Sequence, residues 1–389
     1  MKGALTRNVV ILGVVSLLAD VSSDMVMPLL PAFLVTLGAG PLFLGLIEGA
    51  AEGTAALLKW LSGKWADKVP RLLPLAVSGY ALAALVRPLL SLATAPWQVL
   101  VIRNVDRVGK GVRTSPRDKL LAQSVPRERL AEAFSFHRGM DHAGAAIGPL
   151  IAAGLLSVWP GELRRIFLLA AIPGALAVLM LFAVREEPAA RAAAPAAPGP
   201  RAKLPPRLLV AIGLFTLGNS TDTLLLLRAQ DAGVPTAQLP LLWALLHVLR
   251  SLLSWPMGRV ADRLGRRGAL VAGWAWYALC YAAFAWLRTP LQAWLAFAAY
   301  GLVAALTEGS ERALVAAAVP PEQRGGALGL YNLVSGAGLL LASVLAGGLW
   351  QRYGAAPALL SGALLALLAA AVLAAGGQAP APQAVPLSR

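Results

Sequence analysis

The sequence predicts an all-α membrane protein of twelve transmembrane helices arranged as two pseudo-symmetric six-helix bundles. Three observations carry that prediction. Of the 389 residues 58% are hydrophobic and only 14% are charged, a balance far from that of soluble globular chains. Apolar runs long enough to cross a bilayer, which takes about 20 residues each, recur along the whole length. A short signature also occurs twice, once in each half: Gly63-Lys-Trp-Ala-Asp67-Lys-Val-Pro-Arg71 and Gly258-Arg-Val-Ala-Asp262-Arg263-Leu-Gly-Arg266-Arg267. A duplicated signature at the end of a long apolar stretch marks two homologous membrane halves, and halves of that kind are the architecture of transporters.

Between charged residues and Pro or Gly breaks the spans fall at 8–37, 42–66, 72–93, 97–113, 130–158, 164–184, 207–230, 236–262, 268–288, 291–315, 325–351 and 355–376. Residues 1–184 form the N-terminal bundle and 207–376 the C-terminal bundle. The Pro/Ala-rich segment 185–206 reads as an extended linker on the cytoplasmic side. The tail 377–389 has the same character and is expected to be disordered. The first span is too long for a cleavable signal and is interrupted by Asp20 and Asp24. The lone Cys280 excludes an internal disulfide.

A net charge of +15 in a soluble protein would suggest nucleic-acid binding. Here the basic residues sort by position. Arg164, Arg165, Arg228, Arg288 and Arg352 lie on one side of the predicted spans, and the far larger group outside the spans, from Lys2 and Arg7 to Arg324 and Arg389, lies on the other. This positive-inside bias puts both termini in the cytoplasm and makes nucleic acid an unneeded partner.

The paired Gly-x-x-x-Asp-basic loops after spans 2 and 8 resemble the inter-helix loop motif of the major facilitator superfamily. Lys68 stands for the usual Arg, and Pro70 for the usual Gly, in the first copy. Gly144-Ala-Ala-Ile-Gly148-Pro149 in span 5 is similar to the Gly-x-x-x-Gly-Pro motif of drug and proton antiporters. Asp106-Arg107-Val-Gly109-Lys110-Gly-Val-Arg113-Thr-Ser-Pro116-Arg117-Asp118 looks like a bacterial efflux subgroup. The resemblance implies alternating access, a bacterial cytoplasmic (inner) membrane location, a monomer, and exchange of a small molecule for protons.

The physics of these motifs points to gating. Gly63 and Gly258 open the two motif copies, and Asp67 and Asp262 can accept hydrogen bonds at a neighbouring helix end. Arg263 and its basic neighbours can meet carboxylates or helix C-termini. Gly148 lets backbones approach, and Pro149 frees a carbonyl and bends span 5. Span 4 carries Arg103, Asp106, Arg107 and Lys110 on one face, where Arg103–Asp106 and Asp106–Lys110 fall at pairing distance, and Arg113, Arg117 and Asp118 follow at the cytoplasmic mouth. Glu308, Glu311 and Arg312 are the counterpart in the second half. His137, Arg138, Asp141 and His142 open span 5 with His137–Asp141 and Arg138–His142 at i, i+4. They suit a gate network, proton coupling or, less well because they occupy more than one face, a metal site.

Charges within spans each cost several kcal/mol in hydrocarbon and therefore face a cavity or a partner. Asp20 and Asp24 share one face of span 1 just before Pro28 and Pro31, and Gly218-Asn219-Ser-Thr-Asp222 repeats the pattern in span 7. Repeat symmetry places such patches at a central binding site. In span 2, Glu48 and Glu52 flank a Gly45, Gly49, Gly53 stripe. They can carry protons, or pair with Lys59 or Arg87 and only hold helices together. His247, near Arg250 in span 8, reads as a packed polar residue.

The sequence has no glycine-rich phosphate loop, no assigned catalytic residue or resident metal site, and no cofactor motif. An enzyme is therefore not expected. The expected activity is export of a small organic compound against protons, with Asp20, Asp24, Glu48, Glu52, Asn219 and Asp222 as substrate- or proton-binding residues. The alternative is a divalent metal-cation exporter using Asp20, Asp24, Glu48 and Glu52 with the span 5 histidines. Apart from the lipid bilayer, the expected partners are the small molecule and protons, with a preference for cationic or neutral over anionic cargo.

Overall fold

The computed structural model describes residues 6–66, 69–126, 130–186, 204–319 and 324–375, and among them there is helix and no strand. Twelve helical spans result: Arg7–Thr36, Pro41–Ala66, Leu73–Leu92, Pro96–Gln123, Leu130–Val158, Leu163–Leu181, Pro206–Asp231, Leu239–Leu264, Arg266–Ala285, Pro290–Ala317, Arg324–Tyr353 and Ala355–Ala375. Their ends near residues 7, 66, 204 and 375 define a terminal face, and the turns near 37–41, 92–96 and 353–355 a far face. All but the fourth are long and apolar enough to cross a membrane by themselves. Span 4 is long enough but too charged, and Arg103, Asp106, Arg107 and Arg113 on it are all buried. Its charge faces protein, which is what lets it sit among apolar neighbours. It also continues past the expected end at 113 to Gln123, with Pro116 accommodated inside the helix.

Spans 1 and 7 are each discontinuous. Regular helix stops at Asp24 in span 1, a 3₁₀ turn covers Met27–Leu29, and helix resumes at Leu30. Pro28 and Pro31 account for the break, since neither supplies an amide hydrogen for the ladder. Span 7 stops at Gly218 and restarts at Asp222. There, the freed backbone groups find partners in spans 9 and 11. Tyr277 Oη donates to the Gly218 carbonyl at 2.9 Å, and the Thr221 amide donates to Ser343 Oγ at 3.1 Å. Non-helical backbone at membrane depth survives only when satisfied in this way.

In the first bundle span 1 packs on spans 5 and 6, and span 4 packs on spans 2 and 3. In the second, span 9 packs on spans 10 and 12, and span 8 on span 10. Gly148 explains the tight fit of spans 1 and 5: a Cβ there would lie 2.6 Å from the Val21 carbonyl oxygen and 3.1 Å from the Asp24 carbonyl carbon. The bundles join where span 2 packs on span 11 and span 5 on span 8. The span 2–11 seam is close backbone packing. At Gly347 a Cβ would stand 2.5 Å from the Pro41 oxygen, and at Gly336 one would stand 2.7 Å from the Ala56 Cβ. This seam therefore runs from the far face to mid-depth. Large apolar side chains such as Leu85 and Leu92 stay exposed on the outside, where lipid would cover them.

At the start of the segment expected as a linker, Arg185 and Glu186 make defined contacts with the N-terminal bundle. Arg185 accepts from Asn8 Nδ2 through its carbonyl, and the Glu186 carboxylate accepts from the amides of Leu72 and Leu73 at the start of span 3. A carboxylate at a helix N-terminus satisfies orphan amides and complements the dipole. Residues 187–203 and the tail 376–389 lie outside the described residues.

Candidate functional site

Two sets of polar residues occupy the membrane interior. The first is an ion-pair network inside the N-terminal bundle. Arg103 Nε and Nη2 each reach a Glu48 carboxylate oxygen at 3.0 Å, and Nη1 reaches Asp106 at 3.4 Å. Arg87 Nη2 donates to Asp106 at 2.7 Å, and its Nη1 donates to Ser22 Oγ at 2.5 Å and the Ala19 carbonyl at 3.4 Å. Ser22 Oγ in turn donates to the Ala170 carbonyl in span 6 at 2.6 Å. Arg107 pairs with Glu52 at 3.4 Å, and the Glu52 side chain keeps 36% exposure. Three carboxylates and three guanidinium groups thus neutralise one another across spans 2, 3 and 4, tied to spans 1 and 6 through Ser22.

That arrangement corrects one expectation. Glu48 and Glu52 pair with Arg103 and Arg107, not with Lys59 or Arg87. Spans 2 and 4 run face to face, close enough that a Cβ at Gly111 would meet the Leu58 Cβ at 2.5 Å, so the acids of span 2 meet the arginines of span 4. Arg87 is taken by Asp106. The expected Arg103–Asp106 pair is present, and the recorded partners of Asp106 are Arg87 and Arg103.

The second set lies where the bundles meet. Trp243 Nε1 in span 8 donates to an Asp24 carboxylate oxygen in span 1 at 2.9 Å, a direct hydrogen bond between bundles. Asp20 stands one turn earlier on the same helix, partly exposed, with Lys110, Arg113 and Asp141 within Coulombic reach. In span 7, Asn219 ends the first helical segment as its C-cap. Asp222 begins the second, and it accepts from Arg250 Nη2 at 2.8 Å and Tyr300 Oη at 2.7 Å. Tyr300 belongs to an aromatic group with Tyr277 and Tyr281. His247 packs its ring 5.1 Å from that of Trp243, and its buried Nε2 has no hydrogen-bond partner among the described residues. Lys110 and His142 of the opposite bundle reach it electrostatically. Asp222 is therefore an ion-paired acid. Its partners Arg250 and Tyr300 escaped the sequence reading, although an arginine inside an apolar run carries the same signal as a buried aspartate.

Toward the terminal face Arg117 Nη2 pairs with Asp118 at 2.8 Å and its Nη1 donates to Ser16 Oγ at 3.2 Å, while Ser16 donates to Asp141 at 2.5 Å. His137 Nδ1 lies 3.6 Å from Asp141. Arg138 is exposed and approaches Asp141 at 3.9 Å, so its recorded partner is this acid and not the His142 that the spacing suggested. The Arg113 guanidinium stacks 4.1 Å over the Tyr80 ring. Gly63 faces Ser115 of span 4, and Ser62 donates to the Gly111 carbonyl at 2.8 Å. In the second half Glu311 accepts from Trp274 Nε1 at 3.1 Å and Tyr331 Oη at 2.6 Å, and Arg312 is exposed. Arg267, the last residue of the second motif copy, donates to the Leu373 and Ala374 carbonyls at the end of span 12. Cations favour helix C-termini for the reason expected of this motif. Asp67 lies outside the described residues. So do the side chains of Asp262, Arg263 and Glu308, and the surroundings of Gly258.

Among the described residues no three His, Cys, Asp or Glu side chains converge as a metal-binding group.

Comparison with known proteins adds the following. The Major Facilitator Superfamily model matches residues 12–338 and 224–388. The chain is 32% identical over 377 residues, 93% of this chain and 94% of the relative, to an uncharacterized MFS-type transporter of Methanocaldococcus jannaschii. It is 29% identical over 358 residues, 89% of this chain and 87% of the relative, to an uncharacterized protein of Mycobacterium tuberculosis. Among solved structures, the nucleoside transporter NupG superposes with a TM-score of 0.80 at 16% identity over 95% of this chain and 99% of that one. A bacterial homolog of the human lysosomal transporter Spinster, inward-facing and occupied, gives 0.77 at 15% identity over 96% and 97%. At such identities the two structures share the fold and establish nothing about cargo.

Proposed function

The chain belongs to the major facilitator superfamily, and from that premise we propose that this membrane transporter exports a small organic compound from the cytoplasm in exchange for protons. The observation that carries the reading is the state of the mid-span acids. Glu48, Glu52 and Asp106 are each held by an arginine inside one bundle, whereas Asp24 lies between the bundles and is held by an indole. A carboxylate that a proton or a cation can claim is what exchange at a shared site needs. The charge bias of the loops supports cytoplasmic termini in a bacterial inner membrane. The proposed site is formed by Asp24, Asp20 and Asn219, with Asp222 and Arg250 as a neutralised pair at its edge. Profiling uptake of a compound panel into everted membrane vesicles tests it. Proton-dependent accumulation is expected, and its absence across the panel contradicts export.

Two further outcomes follow. Replacing Asp67 or Asp262 by Asn is expected to shift the balance between states open at either face while the fold persists. Thiol accessibility at both faces that matches the parent protein in both variants would contradict a gating role. The acids at the interface also favour cationic over anionic cargo. Pairing of Asp222 with Arg250 moves the weight of that preference onto Asp24 and Asp20. In competition between lipophilic cations and size-matched organic anions the cations should inhibit more strongly, and stronger inhibition by the anions refutes the preference. No specific observation favours metal-cation export.

A further inference from the structure

We propose that Trp243 is the positioning residue that couples the protonation state of Asp24 to closure of the far face. The inference rests on Asp24 being the coupling group. Its basis is a juxtaposition: the Trp243–Asp24 hydrogen bond, 2.9 Å long, joins the two bundles at the residue where regular helix ends in span 1. The segment that follows, from Met25 through the 3₁₀ turn to Leu30, is buried, and that turn packs on spans 7 and 8 of the other bundle. Whatever holds Asp24 to span 8 therefore holds the hinge of span 1 in its closed position.

The chemistry of the pair makes that hold sensitive to protons. An indole N–H can only donate, so Asp24 must accept. A hydrogen bond to an ionised acceptor is roughly twice as strong as one to a neutral group, so a proton on Asp24 weakens the bond. A cation that pairs with the carboxylate competes with the indole in the same way. By linkage, if closure favours the ionised carboxylate, opening of the far face favours its protonated form. In an export cycle this takes up a proton from the far side and releases it on the terminal side.

Other charges surround Asp24. Asp20 lies on its own helix, Arg87 on span 3, and Arg107 and Lys110 on span 4. Farther out, Asp141 of span 5 acts on Asp20, and His142 of span 5 with Asp222 and Arg250 of spans 7 and 8 acts on His247, whose ring packs on Trp243. Of these groups, Arg87 and Arg107 are held within the N-terminal bundle and Asp222 and Arg250 in the C-terminal one. The bond from Trp243 crosses between bundles, and it is a bond that separation of the far face must break.

The test uses the full chain in lipid nanodiscs, with Cys280→Ala and spin labels on Thr94→Cys and Arg288→Cys, two exposed positions at the far face of opposite bundles. Distance distributions near pH 8 and near pH 5 report closure. The parent is expected to gain at least about fivefold in far-open population at the lower pH. Trp243→Phe, which keeps a ring and removes the donor, should respond by less than about twofold and be more open near pH 8. Asp24→Asn should respond equally little, and the double variant no less than either single one. Trp243→His restores a ring donor and should recover part of the response, which separates loss of the bond from loss of packing. A parent-like response in Trp243→Phe, or a parent that does not respond, overturns the proposal. If Asp24→Asn alone abolishes the response, the Trp243 link fails and the coupling role of Asp24 stands. If the response survives in Asp24→Asn as well, the coupling role fails with it.

Discussion

Replacing Arg103 by Ala is expected to destabilise the protein by about 3–5 kcal/mol, the loss found when one member of a buried ion pair is removed. Arg103 and Glu48 side chains are each only 2% exposed, so Glu48 would remain charged and unpaired in the interior, and Asp106 would lose one of two arginines. Arg103→Lys should recover little, because an ammonium cannot span both Glu48 oxygens in the fork that the guanidinium supplies. Glu48→Gln combined with Arg103→Met should recover much of the loss by removing both charges together. Thermal unfolding in detergent at fixed lipid content checks all three, and an Arg103→Ala protein as stable as the parent would contradict the network.

Asp24→Asn is expected to lower gradient-driven transport at least tenfold, an effect of about 1.4 kcal/mol or more on the coupled step. Asn keeps the size of the side chain and an oxygen that Trp243 can reach, so the fold and the empty carrier should persist. What disappears is the group that gains and loses a proton between states. Glu48→Gln should affect stability more than coupling, because its carboxylate is committed to Arg103. The two substitutions therefore separate a structural acid from a coupling acid by their readouts.

Much of this was legible in the chain. Twelve spans, the disturbance of span 1 at Pro28 and Pro31, and the polar face of span 4 all follow from patterns within single segments, where periodicity and backbone chemistry decide the outcome, whereas the break at Gly218–Thr221 read only as a polar patch. Partner choice between segments was not legible. Spacing puts Glu48 and Glu52 on one side of span 2, but it cannot say that span 4 faces them while Arg87 of span 3 turns to Asp106. Pairing of Asp222 with Arg250 and Tyr300, and of Asp24 with Trp243, joins residues on different spans and needs the three-dimensional packing. Nor does the Pro/Ala-rich composition of 185–206 reveal that Glu186 caps span 3, since the amides it accepts from belong to another segment. Asp67, and the side chains of Asp262, Arg263 and Glu308, lie outside the described residues, and their gating roles rest on the duplicated motif.

The central claim is that this transporter couples protons to cargo through an acid placed between its bundles. The most direct test compares two fluxes in proteoliposomes containing the parent or Asp24→Asn, with a panel of lipophilic cations as probes. One flux is accumulation driven by an imposed pH gradient, and the other is exchange of labelled for unlabelled probe without a gradient. The account predicts that the parent performs both for at least one probe and that Asp24→Asn loses gradient-driven accumulation by a far larger factor than it loses exchange. Undiminished accumulation by Asp24→Asn, or no accumulation of any probe by the parent, would contradict it.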